Sequence, residues 1–126
     1  MSKHNVIIPI DMNPRPENHE ISAAMILADY FCSDALFLKA TGTNSPDISI
    51  KGVQWEIKSP IGSGKNNIRK SMREAAYQSV NIVIDLRRSK LHQTRALGYI
   101  KQYFAHPNRL KRVLVITKLE KVLEIK

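Results

Sequence analysis

Apolar positions divide the chain into alternating helical and extended stretches. Ile21, Ala24, Met25, Ala28 and Phe31 recur at helical spacing, which predicts a helix from about Glu17 to Tyr30. Pro14 and Pro16 fall at its start, where proline suits a first turn, and Glu17 and Glu20 follow where the helix macrodipole favours acids. Ahead of them, Val6, Ile7, Ile8 and Ile10 allow one short strand. Ala35 to Lys39 reads as a strand, and Thr41 to Ser45, with Gly42, as a polar turn. Asp47 to Ile50 and Val53 to Lys58 are two β runs joined by Lys51 and Gly52, a two-residue hairpin signal. Ser59 to Gly64 is a loop.

Ile68, Met72, Ala75, Ala76 and Ser79 mark a second helix, and Asn81 to Leu86 a strongly apolar strand. Ala96, Tyr99, Ile100, Tyr103 and Phe104 predict a third helix, stopped by Pro107. Arg112 to Thr117 and Val122 to Ile125 close the chain as two strands, read as a hairpin. This order gives an α/β or α+β sandwich with a mixed sheet flanked by helices. The 126 residues, 43% of them hydrophobic, suit a single domain over 1–126, without repeat or linker.

Charge narrows the picture. Lys and Arg number 20 against 11 Asp and Glu, a net charge of +9. Such an excess answers a polyanion: nucleic acid first, an anionic membrane surface second, with an unspecific basic surface as the plain alternative. The single cysteine, Cys32, excludes an internal disulfide and follows an apolar helical run, so a buried thiol is expected. No Cys/His cluster has zinc spacing. No apolar run is long enough to span a bilayer, and no signal-peptide core follows Met1. The expectation is a chain that acts as a soluble protein, with a fragment of a larger secreted protein equally compatible.

The most informative stretch runs from Pro46 to Lys58. Strand side chains alternate faces. Val53, Trp55 and Ile57 face the core with Ile48 and Ile50, while Gln54, Glu56 and Lys58 face the other way, as do Asp47, Ser49 and Lys51. Strand pairing then brings Asp47 towards Glu56 and Lys58. Two carboxylates suit a hard divalent cation, Mg²⁺ or Mn²⁺, that neutralises phosphate charge and acidifies a water nucleophile. The lysine positions or deprotonates that water and stabilises developing charge. Glu-x-Lys alone is equally a surface salt bridge; the preceding Pro-Asp and the intervening hairpin give it weight.

Pro46-Asp47 followed by Glu56-Ile57-Lys58 resembles the PD-(D/E)xK nuclease superfamily. The resemblance implies a restriction-endonuclease-like core of helix, three antiparallel strands, helix and strand, which the order from Pro16 to Leu86 matches. It also implies a third metal acid near the start of the first helix. Glu20, in Glu20-Ile21-Ser22-Ala23-Ala24, takes that role, with Glu17 as runner-up and plain helix-start charge as the alternative. The implied metal set is Glu20, Asp47 and Glu56. Pro-Asp-Ile-Ser-Ile-Lys-Gly, Trp-Glu-Ile-Lys-Ser-Pro, and Gln78 ahead of the Asn81 strand are further similar to the C-terminal toxin domains of contact-dependent growth-inhibition proteins. That likeness implies a tRNA-cleaving enzyme, delivered to the cytoplasm of a target bacterium and neutralised by a cognate immunity protein.

Gln78 ends the second helix, where a polar residue of the superfamily often faces the metal site; capping or solvation is the alternative. Lys65, Arg69, Lys70 and Arg73 form a candidate phosphate-tracking stripe on that helix. Arg87-Arg88-Ser89-Lys90, with His92 and Arg95, form a second basic run, in which Arg87 and Arg88 are candidate nucleic-acid contacts. Arg109, Lys111 and Arg112 are expected further from the cleft. Tyr99 and Tyr103 are expected to pack, and His106 to be structural or solvated. Gly62-Ser63-Gly64-Lys65 is no phosphate loop, because Ser59 and Asn66 stand where that motif needs Gly and Ser or Thr. The competing readings are a restriction-like or junction-resolving DNA endonuclease, and a non-catalytic nucleic-acid-binding protein on a nuclease fold.

Overall fold

A mixed sheet with helices on both faces separates two apolar cores in the computed structural model, which describes residues 4–40, 45–103 and 105–126. Among these residues the elements are β1 (Val6–Ile7), α1 (Asn18–Phe31), β2 (Ala35–Phe37), β3 (Ile48–Ile50), β4 (Val53–Lys58), α2 (Lys65–Gln78), β5 (Asn81–Asp85), α3 (Gln93–Tyr103), β6 (Arg112–Ile116) and β7 (Val122–Glu124). The seven strands lie side by side in chain order. β2, β3 and β4 form an antiparallel meander, β4, β5 and β6 run parallel, β7 returns antiparallel, and β1 joins β2 in parallel.

The expected mixed sheet and its flanking helices are present. The polar turn expected from Thr41 lies, but for Ser45, outside the described residues, as does Phe104. The prolines stand ahead of α1 rather than in its first turn: Glu17 is the N-cap, in an extended conformation, and Asn13–Pro14 is a cis peptide. The first strand stops at Ile7, and Ile10 is fully exposed. Cys32 is exposed, contrary to the expected buried thiol. It is the C-cap of α1, with φ at 52°, beyond the last helical turn and its buried face.

The strand pattern follows from covering both faces. Parallel neighbours need crossovers, and here α2 and α3 supply them. Ile82, Ile84, Val113 and Val115 pack under α2 and α3, while Val83, Leu114 and Ile116 pack under α1 with Trp55. Full burial of one such side chain contributes roughly 1.5–3 kcal/mol. Ala23, Ala24 and Ala28 let α1 lie close on the sheet, with Leu27 as its large buried residue. Arg112 caps this layer, its guanidinium 4.9 Å from the Trp55 ring centre and 5.5 Å from that of Phe31.

The β3–β4 hairpin sets the register on which the site depends. Lys51 (φ 53°) and Gly52 (φ 78°) both adopt left-handed conformations, the twist that a two-residue hairpin turn requires. The register pairs Ile48 with Trp55 and Ile50 with Val53. A one-residue slip would turn each side chain to the opposite face. A Cβ at Gly52 meets nothing within 4 Å, so substitution costs backbone conformation alone. Gly52→Ala is expected to cost about 1 kcal/mol, and Gly52→Asn less, because Asn tolerates this region. Urea midpoints of the two variants against wild type measure the difference.

Candidate active site

Asp47 is held at the start of β3 by both neighbouring strands. Its amide donates to the Trp55 carbonyl (3.0 Å), and its carbonyl accepts from the Leu38 amide (2.9 Å). Its Oδ2 accepts from the Ile57 N–H at 2.8 Å, which aims the carboxylate at the end of β4 between Glu56 and Lys58. The expected juxtaposition of the three residues is therefore present.

Glu56 faces away from Trp55, as alternation requires, yet it is only 3% exposed. Its strand partner is Ile82, part of the core under α2 and α3, so the crossover helix covers the acid. Gln78, the last residue of α2, lies over it. With the amide nitrogen turned to the acid, Gln78 donates to both Glu56 oxygens, 3.3 Å from Oε1. Lys58 Nζ stands 3.4 Å from Glu56 Oε2 and 3.8 Å from Glu74 Oε2.

This packing leaves the acids short of positive charge. Burial, the neighbouring Asp47 charge and a hydrogen bond to Asp47 push the Glu56 carboxyl from 4.5 up to about 8, with Lys58 offsetting part of the rise. Burial also raises Asp47, against the pull of the Ile57 amide, and the Glu20 charge adds to the rise. The two carboxyls therefore resist ionising together. Two desolvated carboxylates that resist joint ionisation, offering only oxygen donors, fit a hard divalent cation.

Glu20 reaches this pair electrostatically rather than by direct convergence. Its Oε1 accepts from the Glu17 amide at 2.8 Å, closing the first turn of α1. Among the described residues, the His, Cys, Asp and Glu group whose ligand atoms lie within 4.8 Å of one another is Glu17, His19 and Glu20. The expected set of Glu20, Asp47 and Glu56 does not close to that distance. Glu20 and Asp47 instead face a common cavity of about 390 Å³, walled by Pro14, Pro16 and Phe37.

The basic candidates separate into two kinds. Lys65, Arg69, Arg73 and Arg88 are exposed, with Lys65 Nζ 5.7 Å from the Tyr99 ring centre. Arg87 is engaged internally. It grips the fully buried Asp85 (Nε to Oδ1 3.0 Å, a terminal nitrogen to Oδ2 2.8 Å) and donates to Ser22 Oγ (2.6 Å) and the His19 carbonyl (3.1 Å). The Asp85 hydrogen bonds raise the Arg87 pKa further. A buried carboxylate needs this match, so Arg87 clamps the end of β5 to α1. Arg109, expected far from the cleft, lines a small cavity with Arg73 and Tyr77. Tyr77 itself escaped the sequence reading, although it continues the four-residue spacing of Lys65, Arg69 and Arg73.

The family model of the contact-dependent growth inhibition CdiA C-terminal domain matches residues 44–122. The chain belongs to that family. The matched part of this CdiA C-terminal domain holds Asp47, Glu56, Lys58 and Gln78, whereas α1 with Glu20 precedes it. No curated protein matches the chain. Among solved structures it is similar to the CdiA-CT/CdiI toxin and immunity complex from Burkholderia pseudomallei, at 22% identity, over 98% of each chain, with a TM-score of 0.61. That likeness is one of fold.

The raised Glu56 carboxyl has a measurable signature. The folded Glu56 value of about 8 lies above the ordinary 4.5, so the folded state keeps a proton that the unfolded chain releases. Stability therefore falls as pH rises through this window. In the presence of chelator, thermal melts are expected to drop in midpoint between about pH 5 and pH 8 for wild type. Glu56→Gln is expected to flatten the profile and melt higher at the alkaline end. Parallel profiles would contradict the raised Glu56 value.

Proposed function

We propose that this domain is a metal-dependent endonuclease of the PD-(D/E)xK type that hydrolyses phosphodiester bonds, with tRNA as its first substrate. The observation that carries the reading is the buried Asp47–Glu56 pair with Lys58 at its side. An acid pair starved of counter-charge is suited to a divalent cation and a phosphate together. Asp47 and Glu56 would hold the ion, with Glu20 at the cavity rim as an outer acid. A bound Mg²⁺ or Mn²⁺ would supply phosphate charge neutralisation and an acidified water.

The chain's own groups do the rest. The Ile57 amide orients Asp47, and Gln78 fixes Glu56 from above. Lys58, partly shielded and adjacent to Glu56, orients the attacking water and stabilises negative charge on the phosphate oxygens as it develops. Exposed Lys65, Arg69 and Arg73 attract and align the backbone of the substrate.

The toxin reading follows the family. The Burkholderia relative is a toxin and immunity complex, and we extend both roles to this chain. It would act in the cytoplasm of a target bacterium, and a cognate immunity protein would neutralise it.

Purified domain incubated with total tRNA and with plasmid DNA, each with Mg²⁺ or chelator, tests the proposal. The expected result is tRNA cleavage that chelator abolishes. Asp47→Ala and Lys58→Ala should each lower the rate by about 100-fold or more, the scale of a lost acid–base or charge-stabilising group. Glu20→Gln should fall between these and wild type. Full activity in Asp47→Ala and Lys58→Ala would remove the site assignment, and cleavage unaffected by chelator would remove the metal. Cleavage of plasmid alone would transfer the substrate to DNA.

A further inference from the structure

The stripe on α2 does not end in a fourth cation. One turn beyond Arg73 stands Tyr77, a residue that is 68% exposed. Exposure of one aromatic means little by itself. Its neighbours make the difference. Tyr77 lines two depressions at once. On one side it meets Lys58, Glu74 and Gln78, at the mouth of the acid site. On the other it meets Arg73, Tyr103, Pro107, Asn108 and Arg109, around a cavity of about 220 Å³.

We propose that Tyr77, flanked by Arg73 and Arg109, forms a subsite that stacks one unpaired base of a nucleic-acid strand next to the phosphate presented to Lys58. The inference rests on the nucleic-acid reading of the site above. The cavity is smaller than the roughly 300–1,000 Å³ of a whole-ligand pocket, which suits one flat ring system. Tyr77, Tyr103 and Pro107 line it together with the cationic Arg73 and Arg109. Among the described residues, neither Arg73 nor Arg109 is in an ion pair. The nearby acid, Glu74, is shared between Lys58 and Lys70. The far wall is firm, because the Asn108 side chain donates to the His106 carbonyl and accepts from the Leu110 amide, at 3.0 Å each. Asn108 therefore shapes the wall. An aromatic platform between cations fits a strand whose base stacks while its phosphates run past the arginines. It recognises a π-face rather than a sequence, so the substrate is unpaired at this position. An acidic protein surface could use the two arginines and the ring as well, but it would give no preference for a base-bearing strand over an abasic one.

The test uses the full chain in chelator, so that binding is read without cleavage. The probes are a fluorescent single-stranded RNA of about 12 nucleotides, within the span of such grooves, and an abasic strand of equal length. Wild type should prefer the base-bearing strand. Tyr77→Ala should weaken that strand about tenfold and leave the abasic strand unchanged, while Tyr77→Phe, which keeps the ring, should bind as wild type does. Arg109→Ala should weaken both strands. The proposal is overturned if Tyr77→Ala binds both strands like wild type, if Tyr77→Leu matches Tyr77→Phe, or if wild type does not prefer bases. Base-dependent binding without any tRNA cleavage would remove the nuclease reading and leave the subsite standing. A wild type that binds neither strand removes the subsite, whatever it cleaves.

Discussion

The parallel pairing of β4 with β5 governs the site. Parallel neighbours require a crossover, and the crossover brings α2 back over the face of β4 that carries Glu56. An acid that would otherwise meet solvent is thereby desolvated. Its charge then has to be managed by Lys58 from the same strand and by Gln78 from the covering helix, and its ionisation is opposed by Asp47. The same helix carries Lys65, Arg69 and Arg73 on its outer side, so one connection both creates the electrostatic need and lines the approach to it.

Much of this was legible in the chain. Two-residue alternation over Val53 to Lys58 separates Trp55 from Glu56, and the Lys51-Gly52 turn predicts the hairpin that places Asp47 opposite. Helical periodicity predicts all three helices and places the first to within a residue at each end. Local pattern could not show that both faces of β4 are covered, because that depends on where a helix 10 or so residues later returns. Glu56 therefore reads as a solvent-facing acid in sequence and as a buried one in the fold. Glu20 shows a related limit. A glutamate at the first turn satisfies the helix whatever else it does, and its capping bond to Glu17 is a local event that pattern cannot separate from a metal role.

Arg87 and Arg109 stand in surroundings that the sequence did not suggest, for a similar reason. A run of Arg87-Arg88 after a strand reads as a basic patch, but Asp85 two residues earlier points inward and takes the guanidinium with it. The buried pair then reaches the first turns of α1 through Ser22 and the His19 carbonyl, which fixes that helix relative to the strand ends. Arg109 lies far from α2 in sequence and next to it in space, a neighbour created by the turn after α3.

The hairpin turn has a practical consequence. The site residues occupy the open end of β3 and β4, and Lys51, at the tip, lies four strand positions away from Asp47, roughly 13 Å at extended spacing. Its side chain is exposed, and its backbone geometry is settled by the turn rather than by any contact with the core. A dye or affinity handle attached there would travel with the folded domain while leaving the acids, the covering helix and the basic stripe untouched. The folded domain can thus be followed from a point roughly 13 Å from its candidate site.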